Sequence, residues 1–527
     1  MKPTPIETLR EQAKVRQRSA AFVFHENVWT YERILVEAER LARGMVAHGL
    51  KPGDRVAVHM MNRPEFIVAY YACFLVGAIV SPLRTAFKQA ELEPLLRRLR
   101  PALYIGETAL YGNVAAIDGE LLPRDRRFLV ETGSGVNDGL PLQQLFDDAG
   151  RGDLPFSPAA DQPAVLITTS GTTGEPKFVI HTASSVTESA ERISNNWELA
   201  GQDGIAMPLP LAHMSGVAVF FACIYSGTPF ILIESFDADT VLDTIEKYRC
   251  SMQLGFPAQY AALLEHQRAR PRDLTSLRYC LTGGDVCPVE LQRQFTAAFG
   301  VPLYNAWGAT EAVGNLGYAL RPGPVLRITR PEEVRLVDDD GKDVADGELG
   351  ELLVRGPNLF AGYWNDLRAT TESLKDGWYH TGDLARREAQ GELLFVARKK
   401  DIIIRGGTNI SPVEVEQAVA AHPSVEDAAV VGVPDAVLGQ RVVGFVTLVK
   451  GKSERVVPGI LSDLATRLAA YKVPEHLIVL DALPRNALSK VDRARLQAMA
   501  IEGDKVSRSR AAASAQRNDE QASRRAS

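Results

Sequence analysis

The stretch "PAVLITTSGTTGEPK" (163–177) joins a short apolar run to a loop of hydroxyls and glycines that closes on Lys177. An apolar run of this length bounded by turn residues reads as a buried strand. In α/β sheets the carboxyl ends of strands are where ligands bind. Backbone amides in such a turn form an anion nest, to which Ser170, Thr172 and Thr173 add hydroxyl donors and Lys177 a cation. Those are the groups a polyphosphate needs around it. The pattern is not a Walker A loop, which requires GxxxxGK[ST]; here Gly174 is followed by Glu175-Pro176-Lys177-Phe178. The "GKS" at 451–453 lacks the upstream glycine. On composition alone, a solvated Ser/Thr/Gly loop competes with the phosphate reading.

The segments around this loop alternate strand and helix. "TYERILVEAERLARGMVAHGL" has helical periodicity, with Thr30 as N-cap and Gly49 as the stop. "DRVAVHMM" reads as a buried strand and "RPEFIVAYYACFLVGA" as the next helix. "FILIE", "MQLGF" and "RYCLTGGD" are short apolar runs followed by turn residues. This alternation predicts an α/β architecture with largely parallel sheets. After about residue 325, "EEVRLVDDDGKDVADGELGELLVRGP" changes to short strands with frequent turns, as in a β-rich subdomain. From Lys400 onward helices and strands form a stretch long enough for a separate small domain. Residues 501–527 are polar with almost no large apolar side chains, and read as a disordered tail.

At 527 residues the chain exceeds one core, and 46% apolar with 24% charged residues is an ordinary soluble composition. A net charge of −6 gives no reason to expect nucleic acid. The N-terminus is charged and lacks the apolar core of a secretory signal. The most apolar run, "FIVAYYACFLVGAIV" (66–80), is shorter than the roughly 20 residues of a spanning helix. It predicts a buried helix running into a strand. Cys73, Cys223, Cys250, Cys280 and Cys287 are scattered, with no CxxC pair, and read as buried reduced thiols of a cytoplasmic protein.

Five further segments follow the loop in order: "PLPLAHMSG" (208–216), "NAWGATEA" (305–312), "YHTGDLA" (379–385), "ARKKDIIIRGGTNISPVEVE" (397–416) and "LPRNALSKVDR" (483–493). With the loop, they resemble the ordered motifs of the adenylate-forming superfamily: acyl-CoA synthetases, peptide-synthetase adenylation domains and firefly luciferase. The resemblance covers roughly residues 15 to 500, and is most like a bacterial acyl-CoA synthetase. It implies a large N-terminal domain (1–399) of stacked α/β subdomains plus the β-rich one. A small mobile α+β C-terminal domain (400–500) and the tail would follow.

The resemblance also implies roles. Thr169, Ser170, Gly171, Thr172, Thr173, Gly174 and Lys177 would hold the ATP polyphosphate. Thr310 would bond the α-phosphate and Glu311 bind Mg²⁺, a hard cation that prefers carboxylate and phosphate oxygens. Gly283, Gly284 and Asp285, with Asn305, Ala306, Trp307 and Gly308, would line the adenine and acyl pockets. Asp383 would accept from the ribose diol, as a two-oxygen carboxylate can, with Arg398 beside it. Lys490 would bridge the substrate carboxylate and the α-phosphate, offsetting their repulsion. Lys400 would be the hinge, and Gly406 and Gly407 would line the pantetheine tunnel. His213 would gate an acyl pocket that also includes Met214, Phe256 and Trp307.

Trp307 stands where tyrosine is usual, Ala397 and Phe178 where glycine is frequent, and Asp285 is unusual in its turn. The expected reaction is ATP- and Mg²⁺-dependent activation of a small-molecule carboxylic acid to its acyl-adenylate, then thioester formation with coenzyme A. Loading of a carrier protein in trans is the alternative within the enzyme class. A catalytically silent nucleotide-binding protein is the alternative outside it. Intact Lys490, Glu311 and Asp383 count against silence. The pocket candidates favour an aromatic or aliphatic acid; the oligomeric state is not encoded legibly, and a homodimer is compatible with it.

Overall fold

The run "PAVLITT" forms the strand Pro163–Thr169, and its apolar character follows from its place inside a sheet. The strand order is Gly362–Tyr363, Lys177–Thr182, Pro163–Thr169, Ile79–Pro82, Arg55–His59, Leu103–Glu107, Arg127–Val130 and Leu140–Pro141. From Pro163–Thr169 onward the neighbours run parallel. Lys177–Thr182 returns antiparallel and sets Lys177 opposite Thr169, so the loop between them closes a hairpin. Strands covered on both faces need near-continuous apolar sequence.

The computed structural model describes residues 2–130, 138–148, 150, 154, 159–169, 176–318, 321–406, 408–435, 437–486 and 490–503. The chain divides into two compact units. The first is Met1–Cys287, Leu291–Thr381 and Arg387–Leu394; the second is Pro288–Glu290, Gly382–Arg386 and Phe395–Ser527.

The first unit carries a second sheet, ordered Leu303–Ala306, Tyr279–Gly283, Met252–Gly255, Ile205–Met207, Phe230–Leu232, Ala20–Phe24 and Asn27–Thr30. All its pairings are parallel except the last hairpin. Its core is shared with helices of unusual composition. Pro64–Val76, from the most apolar run, and Met214–Ser226 are buried almost all round. A helix apolar on every face belongs at the centre of a layered core. Tyr70, Tyr71, Phe74, Phe220 and Phe221 interlock there by tilted and edge-to-face contacts, and the Tyr70 hydroxyl finds its acceptor in the Leu211 carbonyl. Gly77, left-handed at φ +73°, ends the first helix before strand Ile79–Pro82. Thr30 caps helix Tyr31–Ala47 through the Arg33 amide, and Gly49 follows at φ +84°. A third sheet, antiparallel, contains the turn-rich segment as Val334–Val337 and Leu349–Val354.

The second unit is built on strands Thr408–Ile410, Ile403–Arg405, Gly439–Leu448 and Val425–Asp435, with His476–Val479 parallel to the third of these. Helices Pro412–Ala420 and Val457–Arg467 contribute to the apolar cluster centred on Val415, Val430, Val446 and Ile460. A second cluster around Phe445 and Leu496 takes in Ala500 and Ile501, and helix continues over 493–503. Residues 501–503 therefore belong to this helix rather than to a tail, because Ile501 packs; 504–527 lie outside the described residues. All five cysteines are buried, and none of them forms a disulfide. No helix among the described residues is long and apolar enough to cross a membrane.

Candidate active site

Of the loop expected to hold the polyphosphate, Thr169 and Lys177 are described; Ser170, Gly171, Thr172, Thr173 and Gly174 lie outside the described residues. Strand alternation sends Phe178 into the core, fully buried with Leu166 and Leu96, while Lys177 and His181 share the other face. The Lys177 ammonium lies 5.0 Å from the centre of the Tyr363 ring, within cation–π range. The Tyr363 hydroxyl donates to Glu311 Oε1 at 2.9 Å. Burial, with the Glu311 charge behind it, raises the phenol far above its ordinary pKa and keeps it a donor. Tyr363 is held there because Gly362 and Tyr363 pair with Ile180 and Val179 on the hairpin itself. One aromatic side chain thus joins the loop lysine to the carboxylate expected to meet the metal.

His181 works on the neighbouring residue. Its Nε2 lies 2.7 Å from the Thr310 carbonyl and its Nδ1 3.3 Å from Ser185 Oγ. Burial drives its pKa down to about 4, so the ring is neutral, and the carbonyl acceptor requires the proton on Nε2. From the other side, the Phe360 amide donates to the Glu311 carbonyl, and Asn358 Nδ2 donates to the Val313 carbonyl and to Asn315 Oδ1. Glu311, 7% exposed, is therefore fixed through both backbone and side chain. His181, Tyr363 and Asn358 were missed by sequence reasoning. A histidine or tyrosine remote in sequence from its partner carries no spacing signal.

The other expected pocket residues follow the carboxyl ends of neighbouring parallel strands. Gly283 pairs with Ala306, and a Cβ at Gly283 would fall 2.7 Å from the Ala306 carbonyl oxygen. Gly284 adopts φ +80°, a conformation favouring glycine. Asp285 accepts from the Val286 amide at 2.9 Å, which gives it a local turn role. The buried Asn305 amide donates to the Gly323 carbonyl. Trp307 is half-buried and Gly308 exposed. His213 caps helix Met214–Ser226, its Nδ1 accepting from the Ser215 amide at 3.2 Å, and its ring meets Phe256 edge-on with centroids 5.7 Å apart. Met214 is buried in the core. Gly216 is obligatory in this turn, since a Cβ would lie 2.1 Å from the Pro210 carbonyl oxygen.

In the second unit, Asp383 and Arg398 come together: Nε and Oδ1 are 3.1 Å apart, with Asp383 3% exposed. Lys400 lies in the 3₁₀ turn Lys399–Asp401. Arg493 sits 3.9 Å from Asp401 and forks onto Glu416 at 2.5 and 3.0 Å. Lys490 is half-buried, its carbonyl accepting from the Asn486 amide and its amide donating to Asn486 Oδ1 at 3.3 Å. Gly406 is left-handed at φ +56° and a Cβ there would touch nothing within 4 Å, so its requirement is conformational. Gly407 lies outside the described residues. Among the described residues no group of three or more metal-ligating side chains occurs. A cation at Glu311 would thus take its remaining oxygens from phosphate and water, a donor set that fits magnesium.

The chain matches two family models, "AMP-binding enzyme" over residues 9–364 and "AMP-binding enzyme C-terminal domain" over residues 414–490. It is 32% identical to an indoleacetate–CoA ligase of Aromatoleum aromaticum, over 92% of this chain and 96% of that protein. It is also 32% identical to a medium-chain fatty-acid–CoA ligase of Escherichia coli, over 89% and 85%. Among solved structures, ATP-bound MatB from Rhodopseudomonas palustris is similar at a TM-score of 0.83 and 27% identity, covering 94% of this chain and 99% of that one. Two motif-bearing sheets with this arrangement of strand ends, and family matches across both units, lead to one conclusion: the chain belongs to the AMP-binding enzymes of the adenylate-forming superfamily and is an AMP-forming acid–thiol ligase.

Proposed function

We propose that the protein activates an aromatic or aliphatic carboxylic acid as its acyl-adenylate and passes the acyl group to coenzyme A. A carboxylate is a poor electrophile because oxide cannot leave. In the first step a carboxylate oxygen attacks the α-phosphorus of ATP and pyrophosphate departs. In the second, the thiol sulfur attacks the carbonyl carbon and AMP departs with the original carboxylate oxygen. The observation that carries this reading is the Lys177–Tyr363–Glu311 chain. It sets a cation, at the loop's end, and a metal-type carboxylate on one rigid support, as a reaction that moves a charged polyphosphate requires.

In this reading the loop 169–177 grips the β- and γ-phosphates and Thr310 donates to the α-phosphate. Glu311 would hold magnesium, which would supply charge neutralisation when bound. The Asp383–Arg398 pair receives the ribose hydroxyls. Lys490 lowers the repulsion between carboxylate and α-phosphate, and Lys400 is the hinge that lets it withdraw. Gly406 and Gly407 serve the pantetheine arm. The His213–Phe256 contact gives the acyl pocket an apolar wall, consistent with relatives that are named for indoleacetate and medium-chain fatty acids.

The test is ATP–pyrophosphate exchange over a panel of aryl, alicyclic, short and medium aliphatic acids, followed by thiol consumption with coenzyme A for the positives. Exchange with at least one apolar acid, and one thiol consumed per AMP, is expected. AMP formed without thiol consumption would redirect the acceptor to a carrier protein. ADP as product, or exchange with none, would overturn the reading.

A further inference from the structure

Strand Ile79–Pro82 lies beside Pro163–Thr169 in parallel register, Val80 opposite Val165, so both strands end at the same edge of the sheet. Arg84 follows the first of these ends. It is 8% exposed, and its Nη2 donates to the carbonyl of Thr168, at the foot of the phosphate loop, at 3.0 Å. Its Nε is buried with no acceptor. No carboxylate among the described residues forms an ion pair with it, and its guanidinium carbon lies 5.8 Å from the centre of the Phe87 ring. Burial alone lowers its pKa, to about 10, which leaves it charged at neutral pH.

A buried guanidinium with no counterion is costly. Buried arginines elsewhere in this chain are treated differently. Arg192, 2% exposed, is flanked by Glu188 and Glu333, and Arg272 by Asp239 and Asp243. Arg127, also buried, spends its donors on the carbonyls of Ala115, Ile117 and Leu122 and on the Tyr111 hydroxyl. Among the described residues Arg84 has a single such bond, and it goes to the backbone from which the loop springs.

We infer that Arg84 is a second cation of the polyphosphate site, whose counterion is the terminal phosphates of ATP and then the departing pyrophosphate. Its planar fork suits phosphate oxygens. The bond to Thr168 holds it beside the strand end from which the loop springs. This inference rests on the loop 169–177 being the polyphosphate grip, and sequence motifs do not mark it, because Arg84 lies outside all six.

The test compares ligand-induced thermal stabilisation of the full-length wild-type protein, Arg84→Gln and Arg84→Lys, using AMP, magnesium pyrophosphate and magnesium ATP as probes. Pyrophosphate affinity should fall about tenfold or more in Arg84→Gln, as for a lost charge-assisted bond. AMP affinity should stay within about twofold, since AMP lacks the phosphates that Arg84 would meet. Arg84→Lys, which keeps a buried cation without the fork, should fall between the two and keeps the test open if the glutamine variant does not fold. Equal loss of AMP and pyrophosphate binding would overturn the inference in favour of a scaffold role, and unchanged pyrophosphate binding would overturn it outright. Failure of the wild-type protein to respond to pyrophosphate and ATP at all would instead refute the phosphate-loop reading beneath it.

Discussion

Tyr363 is the residue on which the candidate site turns. Its ring faces the Lys177 ammonium and its hydroxyl holds Glu311, so one side chain touches both charges expected to meet the phosphates. Tyr363→Phe keeps the ring and removes the hydroxyl. The lost bond to a carboxylate should lower kcat/KM for ATP about tenfold, roughly 1.4 kcal/mol, and raise the magnesium concentration needed for half-maximal rate. Steady-state kinetics over a magnesium series reads both; a change within twofold would show that Glu311 is held well enough without the phenol. Thr310, Glu311, Asp383 and Arg398 could be singled out as candidates from the sequence because each sits in a motif with fixed neighbours. Tyr363, His181 and Arg84 were not. Each acts on a partner far away in sequence, and only strand pairing brings them together.

At the scale of elements, the strand Lys177–Thr182 does most of the positioning, with Lys177 and His181 on one face and Gly362–Tyr363 paired along it. Helix caps, the fully buried helix and the parallel strands could be read from periodicity and turn residues. The two-residue strand Gly362–Tyr363 could not, being too short to show a period. Strand Arg55–His59 makes a separate prediction. His59 is fully buried, its Nδ1 2.9 Å from the Tyr104 hydroxyl, and burial holds its pKa down at about 4. Since the unfolded chain protonates this ring near pH 6.5, stability is intact above that pH. It is lost progressively as pH falls from about 6.5 to about 4, by about 3 kcal/mol. His59→Gln should therefore show a smaller drop in melting temperature between pH 7 and pH 5 than the wild-type protein, whatever its stability at pH 7. An identical drop would mean that His59 is protonated in the folded protein.

At the scale of the whole molecule, each compact unit carries its own share of the candidate residues: Lys177, Glu311, Tyr363 and His213 in the first, Asp383, Arg398 and Lys490 in the second. The order of six motifs made the family and its two-part architecture legible before any coordinates. The acid was not legible, because no motif encodes the shape of the pocket expected to hold it. Lys490→Ala should abolish ATP–pyrophosphate exchange while leaving thioester formation from supplied acyl-adenylate largely intact. Equal loss of both half-reactions would remove Lys490 from its proposed step. The intermediate itself is tested most directly by supplying an exchange-positive acid labelled with ¹⁸O in its carboxylate, together with ATP, magnesium and coenzyme A, and weighing the products by mass spectrometry. An acyl-adenylate route puts one labelled oxygen into AMP and none into pyrophosphate. Label in inorganic phosphate or pyrophosphate, or none in AMP, would contradict it.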